Sequence, residues 1–70
     1  MKISTGNMLK GIVVEIKEGT SMGVVVIDIG NGNRVSSVNT LDSIKRLGLK
    51  VGSEAYALFK ATSVLIAIDD

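Results

Sequence analysis

The segment from Met22 to Ile29 constrains the fold more than any other part of the chain. Valine and isoleucine occupy both sides of its alternating pattern, and Asp28 is its only charged residue. A strand that is apolar on both faces is covered on both, either by a second layer of the same chain or by another subunit. The sequence Gly30-Asn31-Gly32-Asn33 follows, and both residue types tolerate positive φ. The segment is therefore predicted to enter an antiparallel hairpin.

Strand patterns also precede and follow this hairpin. Ile12, Val14 and Ile16 alternate with polar residues and are predicted to share one face of a strand, although Val13 interrupts the polar face. The turn Glu18–Ser21 separates this strand from the next, and Arg34–Asn39 is predicted to return from the hairpin.

A short helix is predicted after the third strand. Thr40 is a suitable N-cap, Asp42 lies in the first turn, and Gly48 is placed to end the helix in left-handed geometry. Leu41, Ile44 and Leu47 recur at helical spacing and are expected to enter the core.

The last two strand-like segments are Tyr56–Lys60 and Val64–Ile68. The predicted order is thus β-β-β-α-β-β within a single domain that spans residues 1–70. This count and helix position predict an all-β fold with one short helix, namely a five-stranded OB-like Greek-key barrel.

The chain is short for its apolar content. It has 70 residues, 46% of them hydrophobic, and no cysteine. A domain of this size buries only about 60% of its unfolded surface and has no disulfide to stabilise it. We therefore expect the chain to bury further apolar surface by forming a homo-oligomer.

Composition also excludes several classes of function. Histidine and cysteine are absent, so the usual general base, thiolate nucleophile and common metal ligands are missing, and neither an enzyme nor a metal site is expected. The net charge is +1 and only two residues are aromatic, which disfavours nucleic-acid binding. No apolar run approaches the length of a membrane span and no signal-peptide pattern opens the chain, so a cytoplasmic location is expected.

Two segments without acidic residues stand out near the ends of the chain. The first includes Ser4-Thr5-Gly6-Asn7 and the second Lys60-Ala61-Thr62-Ser63. Backbone N–H groups, hydroxyls and the Lys60 ammonium would supply donors to a tetrahedral anion from several directions, and Thr20 would add another hydroxyl. The simpler interpretation is that termini and turns are polar and that Lys60 is a solvated lysine at a strand end.

The pair Ser36-Ser37 has two interpretations of equal weight. Two small hydroxyl residues break the alternation of the third strand, which is typical of a bulge or of a close approach of chains. The functional interpretation is a second anion site near a symmetry axis. The glycine-rich turn at residues 30–33 is a weaker candidate for a phosphate loop, because no GK[ST] motif follows it and the next segment is a strand.

The order of these motifs resembles the molbindins, small molybdate-binding proteins of the Mop type with an OB-like domain. The resemblance is carried over nearly the whole chain by Lys2-Ile3-Ser4, Asn7, Leu9-Lys10-Gly11, Ser36-Ser37, Thr40–Ile44, Leu47-Gly48-Leu49 and Lys60–Val64. It implies a cytoplasmic hexamer, a trimer of dimers, that holds molybdate or tungstate at subunit interfaces for storage or homeostasis. The site residues that it implies, together with the donors named above, are Ser4, Thr5, Gly6, Asn7, Thr20, Ser36, Ser37, Lys60, Ala61 and Thr62.

One departure from the family concerns the opening segment. Where molbindins usually read Ser-Ala-Arg-Asn, this chain reads Ser4-Thr5-Gly6-Asn7, so Gly6 replaces an arginine. If the arginine side chain pairs with the anion, binding is weaker here; if only its backbone N–H is used, glycine serves equally well. The competing function is an OB-type module that binds nucleic acid or protein, which strongly salt-dependent binding to single strands would support.

Overall fold

The computed structural model describes all 70 residues and shows one curled antiparallel sheet closed at one end by a helix. The four strands are β1 (Asn7–Glu18), β2 (Met22–Gly30), β3 (Asn33–Thr40) and β4 (Glu54–Phe59), and the helix α1 (Leu41–Arg46) lies between β3 and β4. The sheet order β3-β2-β1-β4 places the fourth strand beside the first, which is the Greek-key arrangement predicted.

The prediction of five strands is wrong. Val64–Ile68 forms no strand and is exposed along its whole length. The sheet is therefore a half-barrel with two free edges, one on β3 and one on β4. A short 3-10 turn, Ala61–Ser63, precedes the exposed segment. Local alternation is present there, but a strand also requires a neighbour to receive its backbone hydrogen bonds, and no neighbour within this chain does so.

β1 is the longest strand and joins the two halves of the sheet. Its first half pairs with β4, from Asn7 opposite Phe59 to Ile12 opposite Glu54. Its second half pairs with β2, from Ile12 opposite Asp28 to Glu18 opposite Gly23. At Gly11, β1 and β2 lie so close that an added Cβ would come within 2.6 Å of Ile27 Cγ2. β1 thus curls the sheet into a half-barrel.

A β-bulge in β1 corrects the alternation predicted for this strand. The register with β2 shifts between Val13 and Glu15, so Val14 is the extra residue. Val13 is consequently fully buried, whereas Ile12 is exposed, and the two do not follow the alternation predicted for this strand. At Ser36-Ser37, where a bulge was one of the interpretations, none is present, because both residues pair in continuous register with Val26 and Val25.

The core lies on the concave face of the sheet. Its buried members are Val13, Val25, Ile27, Ile44 and Ala57. Thr40 caps α1 as predicted, with its hydroxyl accepting from Ser43 N at 3.0 Å. Ile44 and the half-buried Leu41 contact the core, but Leu47 is exposed rather than buried, because the helix ends before it. Leu49 packs against the core beyond the turn at Gly48, where φ is 66°.

The hairpin and the helix bounds follow the sequence predictions closely. Gly30, Asn31 and Gly32 all have positive φ, as a tight connection between β2 and β3 requires. Asp28 Oδ1 accepts a hydrogen bond from Gly30 N at 2.9 Å and supports this turn. No helix of the structure has both the length and the apolar character needed to cross a membrane.

Candidate functional site

The opening segment and the Lys60 turn are adjacent in the structure. Asn7 begins β1 opposite Phe59, the last residue of β4, so the residues before Asn7 and those after Phe59 extend from the same end of one strand pair. The Thr5 hydroxyl donates to the Phe59 carbonyl oxygen at 2.5 Å. It also accepts from Asn7 N at 3.2 Å. The two acid-free segments therefore form one continuous surface.

Thr5 has a structural role that the sequence did not reveal. Its hydroxyl proton is committed to Phe59 and its oxygen to Asn7, so the side chain joins the two segments rather than presenting a free donor. Ser4, Gly6 and the remaining residues of the opening are exposed around it. Thr5 is thus better described as the residue that positions the site.

Lys60 provides a cation of this surface, to which the opening segment adds the exposed Lys2. It is exposed and comes directly before the 3-10 turn, whose Ser63 N donates to the Lys60 carbonyl at 2.9 Å. The ion pairs of the chain involve Lys10, Lys17 and Arg34, and no carboxylate lies within 4.0 Å of Lys60 Nζ. Ala61 and Thr62 open the turn, and their N–H groups have no acceptor within it. The surface therefore combines an unpaired ammonium with hydroxyl and backbone donors.

Gly6 lies in open space. A Cβ built on it would meet no heavy atom within 4 Å, and its φ is not in the positive range. The backbone conformation at this position therefore does not require glycine. A larger side chain would fit here without displacing a neighbour, which makes the departure from the family's arginine directly testable.

The remaining predicted site residues lie elsewhere in the chain. Thr20 is in the turn between β1 and β2, at the opposite end of β1 from Asn7. Ser36 and Ser37 lie within β3 at the far edge of the sheet. Their side chains point to opposite faces, since Ser37 is paired with the buried Val25 and Ser36 with Val26 of the other face. Within one chain these three residues cannot reach the surface around Lys60.

Ser37 lines the open concave groove instead. Its hydroxyl oxygen accepts from Asn39 Nδ2 at 3.0 Å, which leaves the hydroxyl proton free to donate. The groove has a volume of about 600 Å³ and lies between β3 and β4, with Val35, Leu49 and Phe59 among its apolar lining. Ser36 also borders this groove, although its side chain belongs to the other face of β3.

Comparison with known proteins identifies the fold and the family. An antiparallel half-barrel with one capping helix defines a small OB-like β protein. The model of the TOBE domain matches residues 3–66, and the chain belongs to this family, within the molbindin group that its motifs resemble.

Similar proteins cover the chain almost completely. A probable molybdenum-pterin-binding protein of Haemophilus influenzae is 52% identical over 69 residues, which are 99% of this chain and 100% of the relative. The structure of MopII from Clostridium pasteurianum, in a form described as apo2, superimposes with a TM-score of 0.89 at 43% identity over 96% of this chain and 100% of that one. A molybdate-binding protein from Sporomusa ovata gives 0.88 at 38% identity over 97% of this chain and 100% of that one.

Proposed function

We propose that this protein binds molybdate, or the similar oxyanion tungstate, at contacts between the subunits of a cytoplasmic homo-oligomer, for storage or homeostasis. The observation that carries the proposal is the hydrogen bond from Thr5 to Phe59, which joins two segments that lack carboxylates around the unpaired Lys60. The names of the Haemophilus and Sporomusa relatives support the choice of a molybdenum oxyanion.

The chemistry of the surface favours a fully deprotonated oxyanion. The ammonium of Lys60 and the N–H groups of Ala61 and Thr62 are donors without acceptor character. Phosphate near neutral pH retains a proton that needs an acceptor, whereas molybdate, tungstate and sulfate do not. A site without carboxylates therefore discriminates against phosphate.

The separation of the predicted residues supports a site shared between chains. Thr20 and the opening segment lie at opposite ends of β1, so only a second copy can bring a Thr20 hydroxyl to the surface around Lys60. The chain also exposes 5648 Å², whereas a compact monomer of 7.3 kDa exposes about 4,200 Å². An excess of roughly 1,500 Å² is larger than the about 800 Å² that each partner buries in an interface of standard size. The excess supports a homo-oligomer, which we propose to be a hexamer built as a trimer of dimers.

The surface charges do not favour the alternative of a nucleic-acid module. Three basic side chains are already paired with acids on the sheet, Lys10 with Glu54, Lys17 with Glu15 and Arg34 with Asp28. These pairs remove the continuous positive field that a phosphate backbone requires. The relatives are described as binding proteins, which is consistent with a role other than catalysis.

Calorimetric titration of the purified oligomer with molybdate, tungstate, sulfate and phosphate tests the proposal. We expect saturable binding of molybdate and tungstate, a rise in melting temperature with ligand concentration, and no displacement of molybdate by equal phosphate. Metal analysis of protein purified from medium supplied with both oxyanions would then report which one is preferred. Absence of molybdate binding by the folded oligomer, or displacement by equal phosphate, would refute the proposed function.

A further inference from the structure

Asn31 and Gly32 form the exposed tip of the hairpin between β2 and β3. Gly30 pairs with Asn33 across the hairpin, so Asn31 and Gly32 alone make the connection. Asn31 has a φ of 55° and is the only residue other than glycine with positive φ, and Gly32 has a φ of 78°. Two successive positive φ values are the mark of a type I′ turn, for which Asn-Gly is a preferred sequence. The turn therefore places an asparagine and a following glycine together in water.

An asparagine that precedes a glycine can modify itself. The glycine nitrogen attacks the asparagine Cγ and closes a five-membered succinimide ring. The Cγ–Nδ2 bond breaks, and Nδ2 leaves as ammonia with the proton that the attacking nitrogen loses. Water then opens the ring at one of its two carbonyl carbons. Opening at Cγ gives aspartate, whereas opening at the backbone carbonyl carbon gives isoaspartate, in which the chain continues through Cγ. No electrons are transferred, and water is the only co-reactant.

No contact within the folded chain holds either reacting group. The Asn31 side chain and the Gly32 N–H take part in none of the hydrogen bonds of the chain. A Cβ added to Gly30 or to Gly32 would meet no heavy atom within 4 Å, so the tip is open to water on both sides of Asn31. Because neither glycine has a side chain, the backbone of Asn31 is free to rotate and bring Gly32 N to Cγ.

The other three asparagines lack this combination of features. They are Asn7, Asn33 and Asn39, and each is followed by a residue that has a Cβ and lies within a paired strand. The strand ladder restricts the movement of the following backbone nitrogen, and the Cβ hinders its approach to Cγ. The side-chain amide of Asn39 also donates to a neighbouring hydroxyl at 3.0 Å. These three asparagines are therefore internal controls for Asn31.

We propose that Asn31 is a self-modification site of the folded protein, at which asparagine converts through a succinimide to aspartate and isoaspartate. Neither Asn31 nor Gly32 belongs to the proposed oxyanion site, so this inference stands apart from the proposed function. The two products act differently on the hairpin. Aspartate tolerates positive φ as asparagine does, so the turn persists with an added negative charge.

Isoaspartate disturbs the hairpin itself. It inserts one more carbon into the main chain, and the lengthened connection no longer matches a two-residue turn between Gly30 and Asn33. Since β3 pairs only with β2, a weakened turn loosens an edge of the sheet. Either product takes the formal net charge from +1 to zero, and chains without net charge associate and precipitate more readily. The modification thus lowers both the stability of the hairpin and the solubility of the protein.

The test is incubation of the wild type and of Asn31→Gly at mildly alkaline pH, which favours the deprotonated nitrogen, with and without urea. The variant removes the side-chain amide, and Gly-Gly is itself a preferred type I′ pair, so the hairpin is expected to persist. Peptide mass spectrometry identifies the modified asparagine and distinguishes aspartate from isoaspartate. In the native wild type we expect modification at Asn31 alone, with an isoelectric point that falls from about 8.1. We expect no such fall in Asn31→Gly.

Three outcomes would overturn the proposal. They are an equal rate at any of the other asparagines, an equal acidic shift in Asn31→Gly, and modification confined to the urea-unfolded chain, which would show that the turn protects Asn31. Urea denaturation of the separated products tests the effect on the hairpin. We expect the isoaspartyl form to unfold at a lower urea concentration than the wild type, whereas Asn31→Asp unfolds close to it. Equal unfolding of all three would refute the effect on the sheet edge.

Discussion

Replacing Lys60 with methionine removes the positive charge of the Lys60 turn while keeping a long flexible side chain. Lys60 is exposed and has no carboxylate partner within the chain, so the substitution breaks no ion pair and should not unfold the protein. Any loss of affinity can therefore be assigned to the missing ammonium.

The expected magnitude follows from the donors that remain. A charge-assisted hydrogen bond contributes roughly 1.5–3 kcal/mol, so Lys60→Met should weaken molybdate binding about 10- to 150-fold. We expect the upper part of this range, because Gly6 supplies no second cation where the family usually has arginine. The backbone N–H groups of Ala61 and Thr62 would sustain the residual binding.

The assay is calorimetric titration of molybdate into the wild type, Lys60→Met and the control Lys45→Met. Lys45 is also exposed and unpaired but lies in the last turn of α1, so its substitution makes the same change in net charge away from the site. Equal affinities of wild type and Lys60→Met would remove Lys60 from the site. Equal losses in both variants would show that only the overall charge matters.

Three further substitutions test the geometry around this site and within the sheet. Thr5→Val removes both hydrogen bonds of the Thr5 hydroxyl and should lower the free energy of unfolding by about 1–3 kcal/mol, as measured by urea denaturation. Thr5→Ser should restore it, and equal stability of Thr5→Val and wild type would contradict the positioning role. Gly6→Arg fits the open space at that position and should tighten molybdate binding about 10- to 150-fold in calorimetry; an unchanged affinity would mean that only the backbone N–H is used. Gly11→Ala forces a Cβ against Ile27 and the Asp28 carbonyl and should cost about 1–3 kcal/mol of unfolding free energy, whereas Gly6→Ala should change it by less than about 0.5 kcal/mol. Equal stability of these two alanine variants would refute the close approach of β1 and β2.

Local chemistry accounts for the parts of the fold that were predictable. The turn at residues 30–33 needs positive φ and has glycine and asparagine to supply it, and Thr40 meets the capping requirement of α1 through its own hydroxyl. The bulge in β1 was not predictable in this way. Ile12, Val13 and Val14 are all β-branched and apolar, so an apolar residue would face the core whether Val13 or its two neighbours pointed inward. Pairing with β2 decides which of these two alternations is adopted.

The fifth strand was predicted from the local pattern of Val64–Ile68, which pairs with no other strand in the single chain. Alternation and β-branched residues indicate how a segment behaves once it has a neighbour, but they do not say to which chain that neighbour belongs. The candidate site shows the same limit. The proximity of the opening segment to Lys60 follows from the pairing of β1 with β4, whereas the predicted contribution of Thr20 cannot arise within one copy.

The proposed position of the oxyanion between subunits couples its binding to assembly. In that proposal Lys60, Ala61 and Thr62 of one copy and Thr20 of another hold the same anion, because Thr20 lies at the opposite end of β1 from the opening segment. A ligand held by two copies stabilises their association. By thermodynamic reciprocity, we expect molybdate to strengthen association of the subunits by the factor by which association strengthens molybdate binding.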